Sequence, residues 1–291
     1  MTDRIKFIQS LSSVVKDYDA LIIDLWGVIH DGVNLLPGAA ECLERLKASD
    51  TPYVFLSNAP RRSSPVMNAM QNMGLNMELV PIVLTSGEAT WQALKEREDP
   101  WFDGIGKFVY HIGPSRDENL FNGLSIELTE SPSQADLIVN TGPWDTKETV
   151  EDYEAVLRTG IDCGVKMVCA NPDLEVIRDG ARLICAGALA TRYENMGGQV
   201  IYFGKPKKPI YKTCLRLLKN PDPRRVLAIG DSLRTDISGA ATMGMDSVLV
   251  LGGIHKEQFT NEKGANIESS LRQTCKEFGH LPTIVIPNFH W

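Results

Sequence analysis

Three apolar runs in this chain stop abruptly at a polar residue, and that pattern constrains the fold more than any other feature. Leu21-Ile22-Ile23 ends in Asp24, Tyr53-Val54-Phe55-Leu56 in Ser57-Asn58, and Leu227-Ala228-Ile229-Gly230 in Asp231. A fourth segment, Tyr202-Phe203-Gly204, leads into a lone Lys205. Short runs buried on both faces are what a parallel sheet requires, and such sheets bind ligands in the crevice at their strands' carboxyl ends. Helical periodicity fills the intervals: Pro37-Gly38 opens a helix with Cys42, Leu43 and Leu46 on one face, and Ser63 to Met73 forms another that ends at Gly74. The class is therefore α/β.

Between about residues 84 and 185 the pattern restarts. Phe108 to Ile112, Asp136 to Asn140 and Lys166 to Ala170 read as strands, with a helix from Lys147 to Cys163 between the last two. From Val200 the first pattern resumes, with a helix from Pro209 to Leu218 and strands at Arg225 to Ile229 and Ser247 to Leu251. The expected organisation is a discontinuous core domain, 1–83 and 186–291, interrupted by an inserted α/β domain, 84–185. The apolar carboxyl terminus, Leu281 to Trp291, is expected to dock on the core or on a second subunit.

Each polar strand end is ambiguous by itself. Asp24 and Asp231 suit turns, Asp236 competes with Thr235 as a helix cap, Ser57-Asn58 suits a turn, and Lys205 suits a surface. Together they bring carboxylates, a hydroxyl and an ammonium to one crevice, a set suited to a metal ion and a phosphate. Carboxylates this close repel unless a cation sits between them. The net charge of −7 and the lack of a long Lys/Arg run argue against a nucleic-acid partner. No secretory leader or membrane span is evident. The six cysteines (Cys42, Cys163, Cys169, Cys185, Cys214, Cys275) show no metal-ligand spacing, which fits small core residues in a reducing cytoplasm.

These segments resemble the haloacid dehalogenase (HAD) superfamily, in its class IIA subgroup with a large (C2-type) α/β cap over a Rossmann-like core. The resemblance rests on Pro37-Gly38-Ala39, Leu56-Ser57-Asn58, Ala170-Asn171-Pro172-Asp173, Gly204-Lys205-Pro206 and Gly230-Asp231-Ser232-Leu233-Arg234-Thr235-Asp236, and runs from about residue 20 to 255. It implies a hydrolase of small phosphorylated metabolites with Asp24 as the nucleophile. Mg²⁺ would be held by Asp24, Asp231 and the Trp26 carbonyl. Trp26, Gly27, Ser57, Asn58 and Lys205 would line the phosphate, and Asp236 would support a metal-bound water or orient Lys205. The resemblance further implies that the cap selects the substrate, with Asn171 and Asp173 as contacts and Trp144 in a second contact loop, and that the chain dimerises through its cap. Arg61, Arg62 and Arg178 are further candidates for anionic parts of a substrate, although their spacing does not decide it.

One position departs from the family pattern. Its phosphatases carry a second Asp two residues after the nucleophile as acid/base; here that residue is Trp26, whose indole N–H is a hydrogen-bond donor only. Three readings follow: an enzyme restricted to leaving groups that need no proton, a substitute acid such as His30 or Asp31, or a phosphometabolite-binding or regulatory protein. An aromatic residue here also resembles the superfamily's dehalogenases, although the acidic motif is the metal-binding phosphatase form.

Overall fold

The computed structural model describes residues 5–178, 180–259 and 265–291; residues 1–4, at the start of the segment read above for a leader, lie outside it. The chain begins with β1 (Lys6–Phe7), β2 (Ala20–Ile23), α1 (Ala39–Ala48), β3 (Tyr53–Ser57), α2 (Ser63–Asn72) and β4 (Val83–Thr85). It continues through α3 (Ser86–Glu96), β5 (Phe108–Ile112), β6 (Glu127–Thr129), β7 (Leu137–Asn140), α4 (Glu154–Asp162) and β8 (Lys166–Cys169). Next come β9 (Glu175–Arg178), β10 (Ala181–Ile184), α5 (Ala186–Asn195) and β11 (Val200–Tyr202). The last part comprises α6 (Lys208–Leu217), β12 (Val226–Gly230), α7 (Ser238–Thr242), β13 (Asp246–Val250), α8 (Lys256–Phe259), α9 (Ala265–Phe278) and β14 (Ile284–Ile286).

The first sheet has the order β1-β14-β13-β12-β2-β3-β4, and every neighbouring pair is parallel. Alternation along its strands explains its two covered faces. Leu21, Ile23, Phe55, Leu227 and Ile229 pack on one side with Cys42, Leu43 and Leu46 of α1 and Val66 and Met70 of α2. Ala20, Ile22, Val54, Leu56, Val226 and Ala228 face the other way, against Ile210, Tyr211, Cys214 and Leu215 of α6. Connections run outward in both directions from the central β12–β2 pair, which sets a switch point there and opens the crevice where ligands bind. The carboxyl terminus docks as expected: β14 lies between β13 and β1, and the Leu11 N–H donates to the His290 carbonyl at 2.9 Å.

The second sheet, β11-β8-β7-β5-β6, is also parallel, with α4 and α5 on one face and α3 on the other. One expectation is overturned here. The strand at Val200 does not resume the core; Val200, Ile201 and Tyr202 pair with Met167, Val168 and Cys169, so the inserted domain keeps α5 and β11 and ends near Phe203. An apolar strand carries no mark of which sheet it joins, and α5 buries Leu189, Ala190 and Tyr193 in the cap's own core. The expected helix from Lys147 also starts later, as a single turn at Val150–Tyr153 leading into α4. Among the described residues no helix is long and apolar enough to cross a membrane.

Candidate active site

β2, β3 and β12 lie side by side, so the residues after them meet at one end of the sheet. Asp24 follows β2, Ser57 ends β3, Asp231 follows β12, and Asp236 sits in the turn of π-helix that comes next, Leu233–Ile237. Lys205 arrives on the segment that returns from the cap after β11. Its ammonium lies 2.6 Å from Asp24 Oδ1 and 2.7 Å from Asp236 Oδ1, and all three residues are buried. Oxygens of Asp24, Asp231 and Asp236 come within 4.8 Å of one another.

The electrostatics of this cluster are unbalanced: three carboxylates face one ammonium. Burial works against the charge on Lys205, yet the carboxylates of Asp236 and Asp24 hold its pKa well above the usual lysine range. Asp24 is raised to about 7, first by burial and then by Asp236, against the attraction of Lys205. Burial, then repulsion from Asp24 and Asp236, likewise pushes the Asp231 carboxyl up. A cation among these oxygens would relieve both groups. The donor set fits a hard divalent ion, which takes oxygen ligands. The backbone is shaped for it as well. Gly27 has φ +74°, and a Cβ there would fall 2.0 Å from Asp231 Oδ2; a Cβ on Gly253 would fall 2.1 Å from the same oxygen. Asp231 is therefore held between two glycines, with Oδ2 accepting from the Ile254 N–H at 2.7 Å.

The other expected residues divide into those that face the cluster and those that brace it. Ser57 is buried at the crevice, and its Oγ accepts from the Ala59 N–H at 3.2 Å. The Asn58 carboxamide is committed to the scaffold. Its Oδ1 accepts from the Lys205 N–H at 2.8 Å, and its Nδ2 donates to the Lys205 carbonyl at 3.2 Å and to Asp173 Oδ1 at 2.9 Å. This side chain fixes the backbone of Lys205 and ties the cap to the core. Asn171 bends the cap loop, its Oδ1 accepting from the Asp173 N–H at 3.0 Å. Arg234 reinforces the same contact by donating to the Pro172 carbonyl. Trp144 stacks on Tyr153 within the cap, with ring centroids 4.6 Å apart.

Trp26 is a latch. Its indole N–H donates to the Ile177 carbonyl of β9 at 2.8 Å, joining the loop after β2 to the antiparallel β9–β10 hairpin of the cap. Both suggested substitute acids are engaged within the loop that follows β2. His30 stands edge-on to Trp26, and its Nδ1 accepts from the Gly32 N–H at 3.1 Å. Asp31 Oδ1 accepts from the N–H groups of Val33 (2.9 Å) and Asn34 (2.7 Å), the polar-turn arrangement. From the cap, the Asp173 carboxyl is held by Asn58, whose carboxamide also fixes the Lys205 backbone. Burial raises its pKa, its charge acts on Asp24, and its Oδ2 has no hydrogen-bond partner among the described residues.

Burial lowers His30 from 6.5 to about 4. The unfolded chain therefore takes up the proton first as pH falls, so this contribution to stability is complete above about pH 6.5 and is lost toward pH 4. At pH near 5 the loss should be about 2 kcal/mol. Unfolding free energies of wild type and His30→Gln, from urea titrations at pH about 7.5 and about 5, should differ in their pH dependence by that amount; equal dependences would mean that His30 takes up its proton in the folded protein as easily as in the unfolded chain.

Comparison with known proteins gives consistent matches. The family model described as haloacid dehalogenase-like hydrolase matches residues 21–127, and a HAD-hydrolase-like model matches residues 202–274. A crystal structure of a haloacid dehalogenase-like hydrolase from Brucella suis superposes with a TM-score of 0.83 at 30% identity, covering 97% of this chain and 99% of that one. Among curated proteins, an acid sugar phosphatase of Staphylococcus saprophyticus is 25% identical over 251 residues (86% of this chain, 92% of the relative). The 5'-nucleotidase YutF of Bacillus subtilis is 26% identical over 247 residues (84% and 91%).

Proposed function

The chain belongs to the haloacid dehalogenase-like hydrolases, and from that premise we propose a Mg²⁺-dependent, cytoplasmic phosphatase of small phosphorylated metabolites that works through an aspartyl-phosphate on Asp24. The observation that carries this reading is the buried Lys205 ammonium, 2.6 Å from Asp24 and 2.7 Å from Asp236, with Asp231 completing an acidic group. The names of relatives, an acid sugar phosphatase and a 5'-nucleotidase, support the reaction class.

In this mechanism Asp24 attacks phosphorus, the new bond joins its carboxylate oxygen to the phosphoryl group, and the bond to the leaving alcohol breaks. Lys205 balances charge on the nucleophile and the transferring phosphoryl group, Ser57 holds a phosphate oxygen, and Asp236 keeps Lys205 in place. Asp24, Asp231 and the Trp26 carbonyl would hold Mg²⁺, which supplies positive charge to the carboxylates and to the phosphate. Asp173 takes the role that Trp26 cannot fill. It gives a proton to the departing alkoxide, then removes one from the water that cleaves the phospho-enzyme and releases inorganic phosphate. The Trp26 latch holds the cap so that Asp173 stays over the site.

Phosphate release from p-nitrophenyl phosphate and from an alkyl phosphate is the test. Both should be hydrolysed with Mg²⁺, and EDTA or Asp24→Asn should reduce either rate by at least about 10³-fold. Turnover that persists in EDTA would refute the metal requirement, and none above the Asp24→Asn background would leave a binding protein.

A further inference from the structure

Beside the latch lies a second charged group that the mechanism leaves unused. Arg61, on the loop after β3, has its Nε 3.8 Å from Asp117 Oδ1, and Arg116 places its Nε 3.9 Å from the same oxygen. The charge of Arg178, at the end of β9, also bears on Arg61. Asp117 is 3% exposed, and its Oδ1 has no hydrogen-bond partner; both guanidinium groups stop just beyond that range. None of the three arginine side chains makes a hydrogen bond to a described residue. Two guanidinium groups, those of Arg61 and Arg116, thus face one carboxylate with their fork-shaped donor sets unused, and Arg178 stands close enough for its charge to act on Arg61.

Its position relates this cluster to the catalytic centre. Arg178 is next to Ile177, whose carbonyl receives the Trp26 indole N–H, and Trp26 is two residues from Asp24. On the core side Arg61 bears on His30, which packs edge-on against Trp26. Arg62 is excluded, since it forms a bidentate pair with Glu88 at 2.8 Å for each contact and lies over the Trp91 ring.

We propose that Arg61, Arg116 and Arg178 form a second anion subsite, so that the substrate is a phosphate monoester whose leaving group carries another oxyanion, a carboxylate or a second phosphate. Guanidinium groups bind such groups through paired, charge-assisted hydrogen bonds, and one ligand oxyanion would meet donors from both the core and the cap. The site also rewards closure: an oxyanion touching Arg61 and Arg178 together holds the β9–β10 hairpin over Asp24.

The subsite rests on the phosphatase reading for its place in the reaction, but binding tests it independently of turnover. Asp24→Asn protein is titrated calorimetrically with phosphoglycerate and with glycerol phosphate, a pair that differs in a carboxylate against a neutral hydroxymethyl. A sugar bisphosphate and the matching monophosphate form the second arm. The doubly anionic member of a pair should bind at least about tenfold tighter, and Arg178→Gln should collapse that ratio to within about threefold. Arg158→Gln, at an exposed guanidinium on α4, should leave the ratio unchanged. A preference in the carboxylate pair alone or the phosphate pair alone identifies the oxyanion. Equal affinities within both pairs, or a preference that survives Arg178→Gln, overturns the proposal. The same titration of wild type in EDTA serves if Asp24→Asn does not fold. Failure of the phosphatase reading is a different result, namely no phosphate released by wild type from any of these esters.

Discussion

Lys205→Met should lower phosphatase turnover by about 10²–10³-fold, the usual effect of removing one preorganised charge from a transition state. The loss follows from geometry. Lys205 is 2% exposed and touches two carboxylates, so no solvent cation or neighbouring base replaces it at that position. The substitution also leaves Asp24, Asp231 and Asp236 without their buried counter-charge. Breaking a buried pair from one side costs about 3–5 kcal/mol, and Asp24, already raised to about 7, would move further up. The variant should therefore be less stable near neutral pH and recover part of that loss on acidification, as the carboxyls take up protons. Mg²⁺ should raise its melting temperature more than it raises that of wild type. Turnover within a few-fold of wild type would remove Lys205 from the mechanism.

Asp173→Asn should separate two classes of substrate. Alkyl esters need a proton on the leaving oxygen and should lose about 10²–10³-fold in kcat, whereas p-nitrophenyl phosphate, whose phenolate leaves unaided, should fall by about tenfold or less. Any residual loss on the aryl ester would come from the second step, in which Asp173 is proposed to activate water. Asparagine keeps an oxygen for Asn58 Nδ2, so the 2.9 Å bond between cap and core has an acceptor and the fold is preserved. Equal losses on both ester classes would remove Asp173 as the acid for the leaving group. The test works because Trp26, His30 and Asp31 are each engaged elsewhere, by Ile177, Gly32 and the turn at Val33–Asn34.

The core of this site is legible in the sequence because β2, β3 and β12 are short, apolar and buried on both faces, so each polar residue at their ends stands out. Lys205 follows from the same logic, as the first charged residue after Tyr202-Phe203-Gly204. The inserted domain's start is marked by the return of strand-helix alternation, while its end is obscured because β11 looks like any buried strand. The β9–β10 hairpin has one local signal in the sequence, the dipeptide Asp179-Gly180, but the flanking Val176-Ile177 and Leu183-Ile184 pairs lack the alternation that would mark a hairpin. The role of Asp173 has no such signal. It meets Asn58 across 115 positions in the chain, and only the folded cap brings the two together. Asp117 and Arg116 are equally silent, since a lone acidic residue beside an arginine reads as a solvated turn. Trp26 was conspicuous as a departure from the family pattern, but its partner Ile177 is a backbone carbonyl, which no side-chain pattern reveals.

The central claim is that phosphoryl transfer passes through Asp24, and an acid-quench experiment tests it most directly. Wild type is mixed with p-nitrophenyl phosphate and Mg²⁺, quenched within the first turnover, digested, and analysed by mass spectrometry. The peptide containing Asp24 should carry one phosphoryl group that hydroxylamine removes, and Asp24→Asn should carry none. Turnover with no phosphoryl group on that peptide at any quench time would contradict the account.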